Sequence, residues 1–251
     1  MSIPCVSIII PVYNVSEYLR KCLDSVINQT LQDIEIIIVN DCSPDLEDDR
    51  ICQNYVNKDK RIVYIKHEKN LGLGGARNTG IENATADYLW FIDSDDWIDV
   101  SACEILYNSI VYYKLDILVF SAISLVFLNQ QTIVSYEDNY ELYQYSQDVL
   151  YKKLTGIYLL DIFLKRGIFR EVAWVYFFKK KLFNQYKFET HVYFEDSSLI
   201  PIIICQADSI MAIDYKPYYR LRHDHSITRQ KLNLKIFIDK LSLVKRLLKY
   251  L

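Results

Sequence analysis

The sequence predicts an α/β protein built on a mostly parallel central sheet with helices on both faces. Two runs, Val6-Ser-Ile-Ile-Ile-Pro-Val12 and Ile34-Glu-Ile-Ile-Ile-Val39, are short, β-branched and almost unbroken in apolarity, as strands buried on both faces are. Between them Tyr18, Leu19, Cys22, Leu23, Val26 and Ile27 recur at helical spacing behind Ser16, a residue suited to cap that helix. The alternation then repeats. A helical stretch runs through Ile51, Cys52, Tyr55 and Val56; residues 61–66 read as a third strand, 76–81 as the start of a third helix and 88–92 as a fourth strand. Connections of this length between strands require crossovers, and crossovers make the strands parallel.

Parallel strands place Tyr13, Asp41 and Asp93 past carboxyl ends on one edge of the sheet, where open α/β folds bind their ligands. The fourth strand delivers a cluster of acids there, Asp93-Ser94-Asp95-Asp96. Like charges gain little from proximity unless a hard cation neutralises them. Mg²⁺ and Mn²⁺ take carboxylate oxygens and commonly bridge to substrate phosphates. In this crevice Asp41 can accept a hydrogen bond from a nucleobase, Tyr13 can stack on that base, and Asp93 with Asp95 can hold a ribose and a metal-bound diphosphate. The alternatives are ordinary turns: Asp and Ser end strands and cap helices, and Asp41-Cys-Ser-Pro44 has the composition of an Asx-turn.

Several segments, taken in order, resemble one family. Val6 to Asn14, Ile38-Val-Asn-Asp41, Asn70-Leu-Gly72 with Ala76-Arg-Asn-Thr-Gly80, and Phe91-Ile-Asp-Ser-Asp-Asp-Trp97 are similar in sequence and spacing to the inverting glycosyltransferases of family 2. So are Ala173-Trp174, Tyr193-Phe-Glu-Asp196, and Tyr218-Tyr-Arg with Ser226-Ile-Thr228. The resemblance implies a GT-A fold over residues 1–230, with a nucleotide-sugar-binding half at 1–115 fused to an acceptor-binding half at 116–230. It implies a UDP-sugar donor with Mn²⁺ or Mg²⁺, and a glycan or lipid-linked glycan acceptor. Residue by residue, Pro11, Val12, Tyr13 and Asp41 are implied as uracil contacts and Arg77 as part of the nucleotide pocket. Asp93-Ser94-Asp95 is implied as the ribose and metal motif, with Asp95 the foremost metal ligand and Asp93 the second. Asp196 is implied as the general base. Its position is also an ordinary helix N-terminus, whose positive end is expected to depress a carboxylate pKa. Many relatives carry Asn-Lys where this chain has Val175-Tyr176, which bears on the acceptor.

Other classes fit less well. A sugar-phosphate nucleotidyltransferase calls for a glycine-rich basic loop after the first strand, and Tyr13-Asn-Val-Ser16 is not one. A phosphatase calls for an early nucleophilic Asp followed by a small hydroxyl residue, where Trp97 stands. A non-catalytic sugar-binding module has no use for Asp41, Asp93, Asp95 and Asp196 together. Gly72-Leu-Gly74-Gly75-Ala-Arg77 is no dinucleotide fingerprint, since Arg77 occupies the third glycine's place and the segment follows the third strand.

Composition sets the remaining bounds. The 251 residues are 51% apolar with net charge −3 and dispersed basic residues, so a sizeable core is expected and a nucleic-acid partner is not. Six cysteines without a CxxC pair read as free thiols of a reducing cytosol. The chain enters a strand within a few residues, and no apolar stretch reaches the ~18 residues of a membrane span, so neither a signal peptide nor an anchor is expected. The tyrosines clustered between 136 and 158, with Trp97 and Trp174, suit either sugar stacking or packing. His223 and His225 stand in a basic stretch that can close over the diphosphate, and the resemblance implies a metal-ligating histidine near this place in some relatives; the favoured reading is ordinary surface-loop histidines, because the expected cation prefers oxygen. Residues 231–251 form a basic amphipathic helix with Phe237, Leu241, Val244, Leu248 and Leu251 as its apolar stripe. It can lie on an anionic membrane, which suits a protein at the inner face, pair with a second copy, or fold back on its own domain.

Overall fold

The parallel alternation is realised in the computed structural model, which describes residues 3–128, 131–134, 141–142, 145–223 and 234–247. Its first half runs β1 (Val6–Val12), α1 (Ser16–Ile27), β2 (Ile34–Asn40), α2 (Leu46–Lys58), β3 (Ile62–Lys66), α3 (Gly72–Asn83) and β4 (Tyr88–Phe91). Then come β5 (Trp97–Ile98), α4 (Ala102–Tyr112), β6 (Ile117–Val119), β7 (Ala122–Leu128), β8 (Gln131–Val134) and β9 (Glu141–Leu142). The chain continues through α5 (Gly156–Lys165), β10 (Tyr176–Lys179), α6 (Glu195–Cys205), β11 (Ile210–Ala212), β12 (Tyr218–Arg222) and α7 (Leu234–Leu247).

Seven strands form the main sheet in the order β11-β6-β10-β4-β1-β2-β3. Pairings among β1, β2, β3 and β4 are all parallel, while β10 runs antiparallel to both β4 and β6. Every residue of β1 and β2 is buried, which is why these strands read as continuous apolar runs rather than alternating ones. Burial of one such Ile or Val stabilises by about 1.5–3 kcal/mol. The polar interruptions are satisfied in place: the Ser7 hydroxyl donates to Glu35, which also accepts the Thr85 and Ala86 N–H groups. A second sheet, β5-β12-β7-β8 with β9 beside β7, runs its β12 alongside β7 and β5.

An aromatic layer joins the two sheets. Trp90 of β4 donates its indole N–H to the Trp174 carbonyl at 3.0 Å, and Trp174 stacks on Tyr218 of β12 at 4.5 Å between centroids. Trp174 is only 3% exposed, so of its two sequence readings packing is the one realised. Tyr145 likewise stacks on Phe163 inside the core, whereas Tyr151 and Tyr158 lie on the surface. The rest of that tyrosine cluster, from 136 to 144, falls largely outside the described residues.

Two helix starts differ from expectation. Ser16 is the first residue of α1 and not its cap; the preceding Val15 N–H is received instead by the Asp48 carboxylate of α2 at 3.2 Å. Helix α3 begins at Gly72, four residues before the expected 76, because its glycines serve close packing rather than a loop. A Cβ on Gly80 would run into Ile9 of β1, and one on Gly74 into the Glu189 carbonyl. Asn78 completes that seam by exchanging two 2.9 Å hydrogen bonds with the Phe188 backbone.

Among the described residues no helix is long and apolar enough to cross a membrane, and all six cysteines are free. Helix α7 folds back against α6, burying Ile236 and Leu243. Two residues of the expected stripe do not dock: Leu241 and Val244 are about half exposed, while Leu248, Leu251 and the side chain of Phe237 lie outside what the structure describes. The polar Asp239 (7% exposed) is turned inward in their place.

Gly74→Ala separates two opposing effects. Alanine gains about 1 kcal/mol of helix propensity, whereas an immovable backbone carbonyl imposes an overpacking cost of about 1–3 kcal/mol. Net destabilisation is expected, read as a lower urea midpoint at unchanged slope; a raised midpoint would show that the 189 segment yields freely.

Candidate active site

The in-register pairing Val12↔Asn40 and Ile9↔Phe91 brings the residues after β1, β2 and β4 to one edge. Asn14 and Cys42, both left-handed at φ 52° and 55°, turn the first two strands out, and the loops are tied by an Asn14 N–H to Ser43 hydroxyl bond of 2.9 Å. Pro11 and Val12 stay buried inside β1, so Tyr13, 50% exposed, is the member of that trio whose ring is accessible. Asp41 is 2% exposed and firmly held: its Oδ1 accepts the Leu71 N–H at 2.8 Å and lies 2.7 Å from His67 Nδ1, whose other nitrogen meets Thr79 at 2.9 Å. The turn-closing bond expected of Asp41 belongs to Asn40, whose side chain accepts the Ser43 N–H.

The acids after β4 divide into three environments. Asp96 is 3% exposed and accepts from the Tyr218 hydroxyl and the Leu221 N–H, each at 2.7 Å, so it pins β12 to the strand end. Burial first, and then Asp95 and Asp93, push its pKa well above the usual carboxylate range. Asp93 receives Arg77 Nη2 at 2.9 Å; burial raises its pKa, with the guanidinium opposing and Asp95 adding to the rise. Its N–H donates to the Tyr218 hydroxyl, so one phenol spans two members of the motif. Asp95 keeps a side chain 28% open and meets His223 Nε2 at 2.9 Å. Ser94 between them is buried.

His223 is therefore not a loop histidine. It follows β12 directly, is 9% exposed, and packs its ring at a 30° tilt on Tyr18 of α1, 4.3 Å between centroids. His225 lies outside the described residues, as does Ser226 to Thr228.

Arg77 links the motif to α6. Its side chain is 1% exposed, with Nη1 on Glu195 and Nη2 on Asp93. Burial opposes its charge, but Asp93, Glu195 and Asp196 outweigh that and hold it protonated. Its Nε is buried without a hydrogen-bond partner, so the guanidinium is committed through its two terminal nitrogens. Asp196 opens the first turn of α6 beside this pair. Its carboxyl is pushed up to about 8, by burial first and by Glu195 next, with Arg77 only partly compensating. That reverses the depression expected from the helix N-terminus, since desolvation and a neighbouring carboxylate outweigh a partial dipole charge of about +0.5.

The structure thus gathers Arg77, Asp93 and Asp196 around one guanidinium, sets Asp95 alongside, and places Tyr13 and Asp41 on the adjoining loops. Four contributors were missed in the sequence: His67, Asp96, Glu195 as an ion-pair partner, and Tyr218 as a clamp. Asp96 carried a visible signal as the third acid of a motif that needs two, and Glu195 and Tyr218 stood in family-like segments without these roles; His67 carried none.

Among the described residues no three His, Cys, Asp or Glu side chains form a preassembled metal cage. Asp93 and Asp95 nevertheless suit Mg²⁺ or Mn²⁺: both are hard oxygen donors, both are about a quarter open, and these ions commonly take one or two carboxylates and complete their shell with phosphate and water.

Comparison with known proteins gives a consistent result. The family model described as Glycosyl transferase family 2 matches residues 7–177. Glycosyltransferase GlyA of Streptococcus pneumoniae serotype 4 is 35% identical over 232 residues, covering 86% of this chain and 30% of that protein. The minor teichoic acid biosynthesis protein GgaB of Bacillus subtilis is 31% identical over 229 residues, covering 89% of this chain and 24% of its own. The chain thus spans about a third or less of these relatives. Among solved structures, S. aureus TarS 1–349 in complex with UDP-GlcNAc superposes with a TM-score of 0.74 at 19% identity, over 96% of this chain and 66% of that one. The fold is that of the GT-A glycosyltransferases, and the chain belongs to glycosyltransferase family 2.

Proposed function

We propose that this chain transfers a sugar from a UDP-sugar, with inversion and with Mn²⁺ or Mg²⁺, to a hydroxyl of a glycan or lipid-linked glycan in surface-polysaccharide synthesis. One observation carries the reading: a single buried guanidinium, Arg77, holds the donor motif at Asp93 and the acid pair Glu195-Asp196 on one site. A TarS structure holding UDP-GlcNAc on the same fold supports a UDP-sugar donor. Tyr13 offers a ring for the base and Asp41 a fixed acceptor. The half at 116–230 receives the acceptor.

Inversion needs a base on one face of the sugar and a stabilised leaving group on the other. An acceptor hydroxyl is far too weak an acid to ionise near neutrality, so Asp196 takes its proton as the new bond forms. A carboxyl tuned to about 8 is a stronger base than an ordinary aspartate, at the cost of being protonated below that pH. Asp95 and Asp93 would hold a divalent cation, which when bound would supply Lewis-acid stabilisation of the departing diphosphate. Holding donor and acceptor in line contributes on the order of 7–11 kcal/mol, so the rigidity of the two acid-bearing segments matters as much as either carboxylate.

Asp196→Asn is expected to abolish transfer while UDP binding stays within about twofold. In the parent enzyme kcat/KM should rise with pH along a limb centred near 8, because the protonated carboxyl cannot accept the proton and this ratio reports the free enzyme. An active Asn variant, or a flat profile between pH 6 and about 9, reassigns the base. Asp95→Ala is expected to erase the metal-dependent part of UDP stabilisation, measured as the melting shift with and without MnCl₂ across a panel of UDP-sugars. Equal shifts in parent and variant remove Asp95 from that role.

The exposed Ile238, Leu241 and Val244 of α7, interspersed with Lys240 and Lys245, support placing the reaction in the cytoplasm at the inner membrane face, where a lipid-linked acceptor would lie. Flotation with anionic phosphatidylglycerol vesicles should weaken when these three residues become Ser. Equal flotation of parent and variant sinks that placement.

A further inference from the structure

We infer that α7 is the positioning element of the catalytic turn, with Asp239 its principal contact; this rests on the reading of Asp196 as the base. The acid pair Glu195-Asp196 starts a helix that has no side-chain cap, and it follows a conformation that polypeptide rarely adopts. Phe194, immediately before it, is left-handed at φ 60°, and so is His191 at φ 60°. For bulky residues that conformation costs on the order of 1–3 kcal/mol and persists only where the surroundings over-determine it.

From the sheet side the restraints are the His191 N–H on the Leu71 carbonyl at 3.2 Å and the ion pair of Glu195 with Arg77. From the other side they come from α7. Asp239 reaches in from the docked face and accepts the Tyr193 N–H at 3.0 Å. The Lys240 ammonium sits 5.1 Å over the Phe194 ring and that of Lys235 5.0 Å over the Tyr193 ring, so cations on the helix cover both aromatics of the strained turn. Arg246, one end further on, donates to the Lys187 carbonyl and lies 3.6 Å from the Glu189 carboxylate.

These contacts fall on residues 187, 189, 193 and 194, the strand of backbone that ends at the acid pair. Burial of Ile236 and Leu243 contributes the described apolar part of the helix anchor. A buried aspartate in that anchor raises its desolvation cost, which the Tyr193 N–H offsets. The polar half of the docked face therefore has a different task from the apolar half. It fixes the backbone from which Asp196 is aimed, and a misplacement of about 1 Å there is enough to cost up to 10²-fold in rate.

The test compares the Asp239→Ala, Asp239→Asn and Ser242→Ala variants of this chain with the parent. Hydrogen–deuterium exchange is read over residues 187–198, and steady-state UDP release is followed over the panel of UDP-sugars with MnCl₂. Asp239→Ala is expected to speed exchange in 187–198, leave exchange of β1, β2 and β4 unchanged, and lower kcat on the order of tenfold with the donor KM within about twofold. Asn retains an acceptor oxygen and should restore both readouts toward the parent, while Ser242→Ala on the exposed face changes neither. Unchanged exchange over 187–198 in Asp239→Ala overturns the inference, as does faster exchange with an unaltered kcat. Asp196→Asn runs in parallel: turnover retained there sinks the base assignment, whereas loss of turnover with an inert Asp239→Ala sinks only the role of α7.

Discussion

A guanidinium removed from water and shared between two carboxylates is the constraint on which the rest of the site depends. Arg77 rises from α3 with 1% of its side chain exposed, and such a charge is tolerable only where the surrounding acids compensate its lost hydration. Taking away one partner of a buried ion pair costs about 3–5 kcal/mol, because the remaining charge is stranded. Asp93 after β4 and Glu195 at the head of α6, 102 residues apart by the difference of their numbers, are therefore bound to each other's position through one side chain. The glycines of α3 belong to the same solution, since only a helix without a Cβ at Gly74 can come close enough to the 189 segment to present Arg77 there.

Within that frame the acids acquire different properties from neighbouring places in the sequence. Asp96 is enclosed and structural, Asp95 is open and beside an imidazole, and Asp93 is half committed to Arg77. Asp196 gains basicity because it is removed from water first and crowded by Glu195 next, with Arg77 only partly opposing the rise. Three clustered carboxylates would repel one another; Tyr218 holds the Asp96 carboxylate and the Asp93 backbone N–H, while Arg77 holds the Asp93 carboxylate.

The β-branched runs at 6–12 and 34–39 made the parallel core legible in the sequence, because a strand buried on both faces has no choice but apolarity. Tyr13, Asp41, Asp93 and Asp95 followed from it, since the end of a parallel strand fixes the edge on which its next residue lies. What stayed hidden depends on contacts distant in the chain. Which of the three acids would be enclosed turns on the register of β12, more than a hundred residues away, and the tie between Asp41 and His67 depends on the loop after β3. Helix α7 shows the limit most clearly. Apolar spacing selects Leu241 and Val244, yet the docked face carries Asp239 because its partner N–H waits on another segment. Burial there is decided by complementarity, which a hydropathy pattern does not record.

Strand β10 enters the main sheet antiparallel, between β4 and β6. As the nascent polypeptide leaves the ribosome, β1 to β4 are complete while the outer edge of β4 still presents a row of unpaired backbone groups. That edge stays open until residues 176–179 emerge and the chain doubles back to fill it. Such long-range pairing slows folding and leaves a hydrophobic strand available to wrong partners meanwhile. The slot that joins β4 to β6 is thus also a point of exposure to aggregation during synthesis.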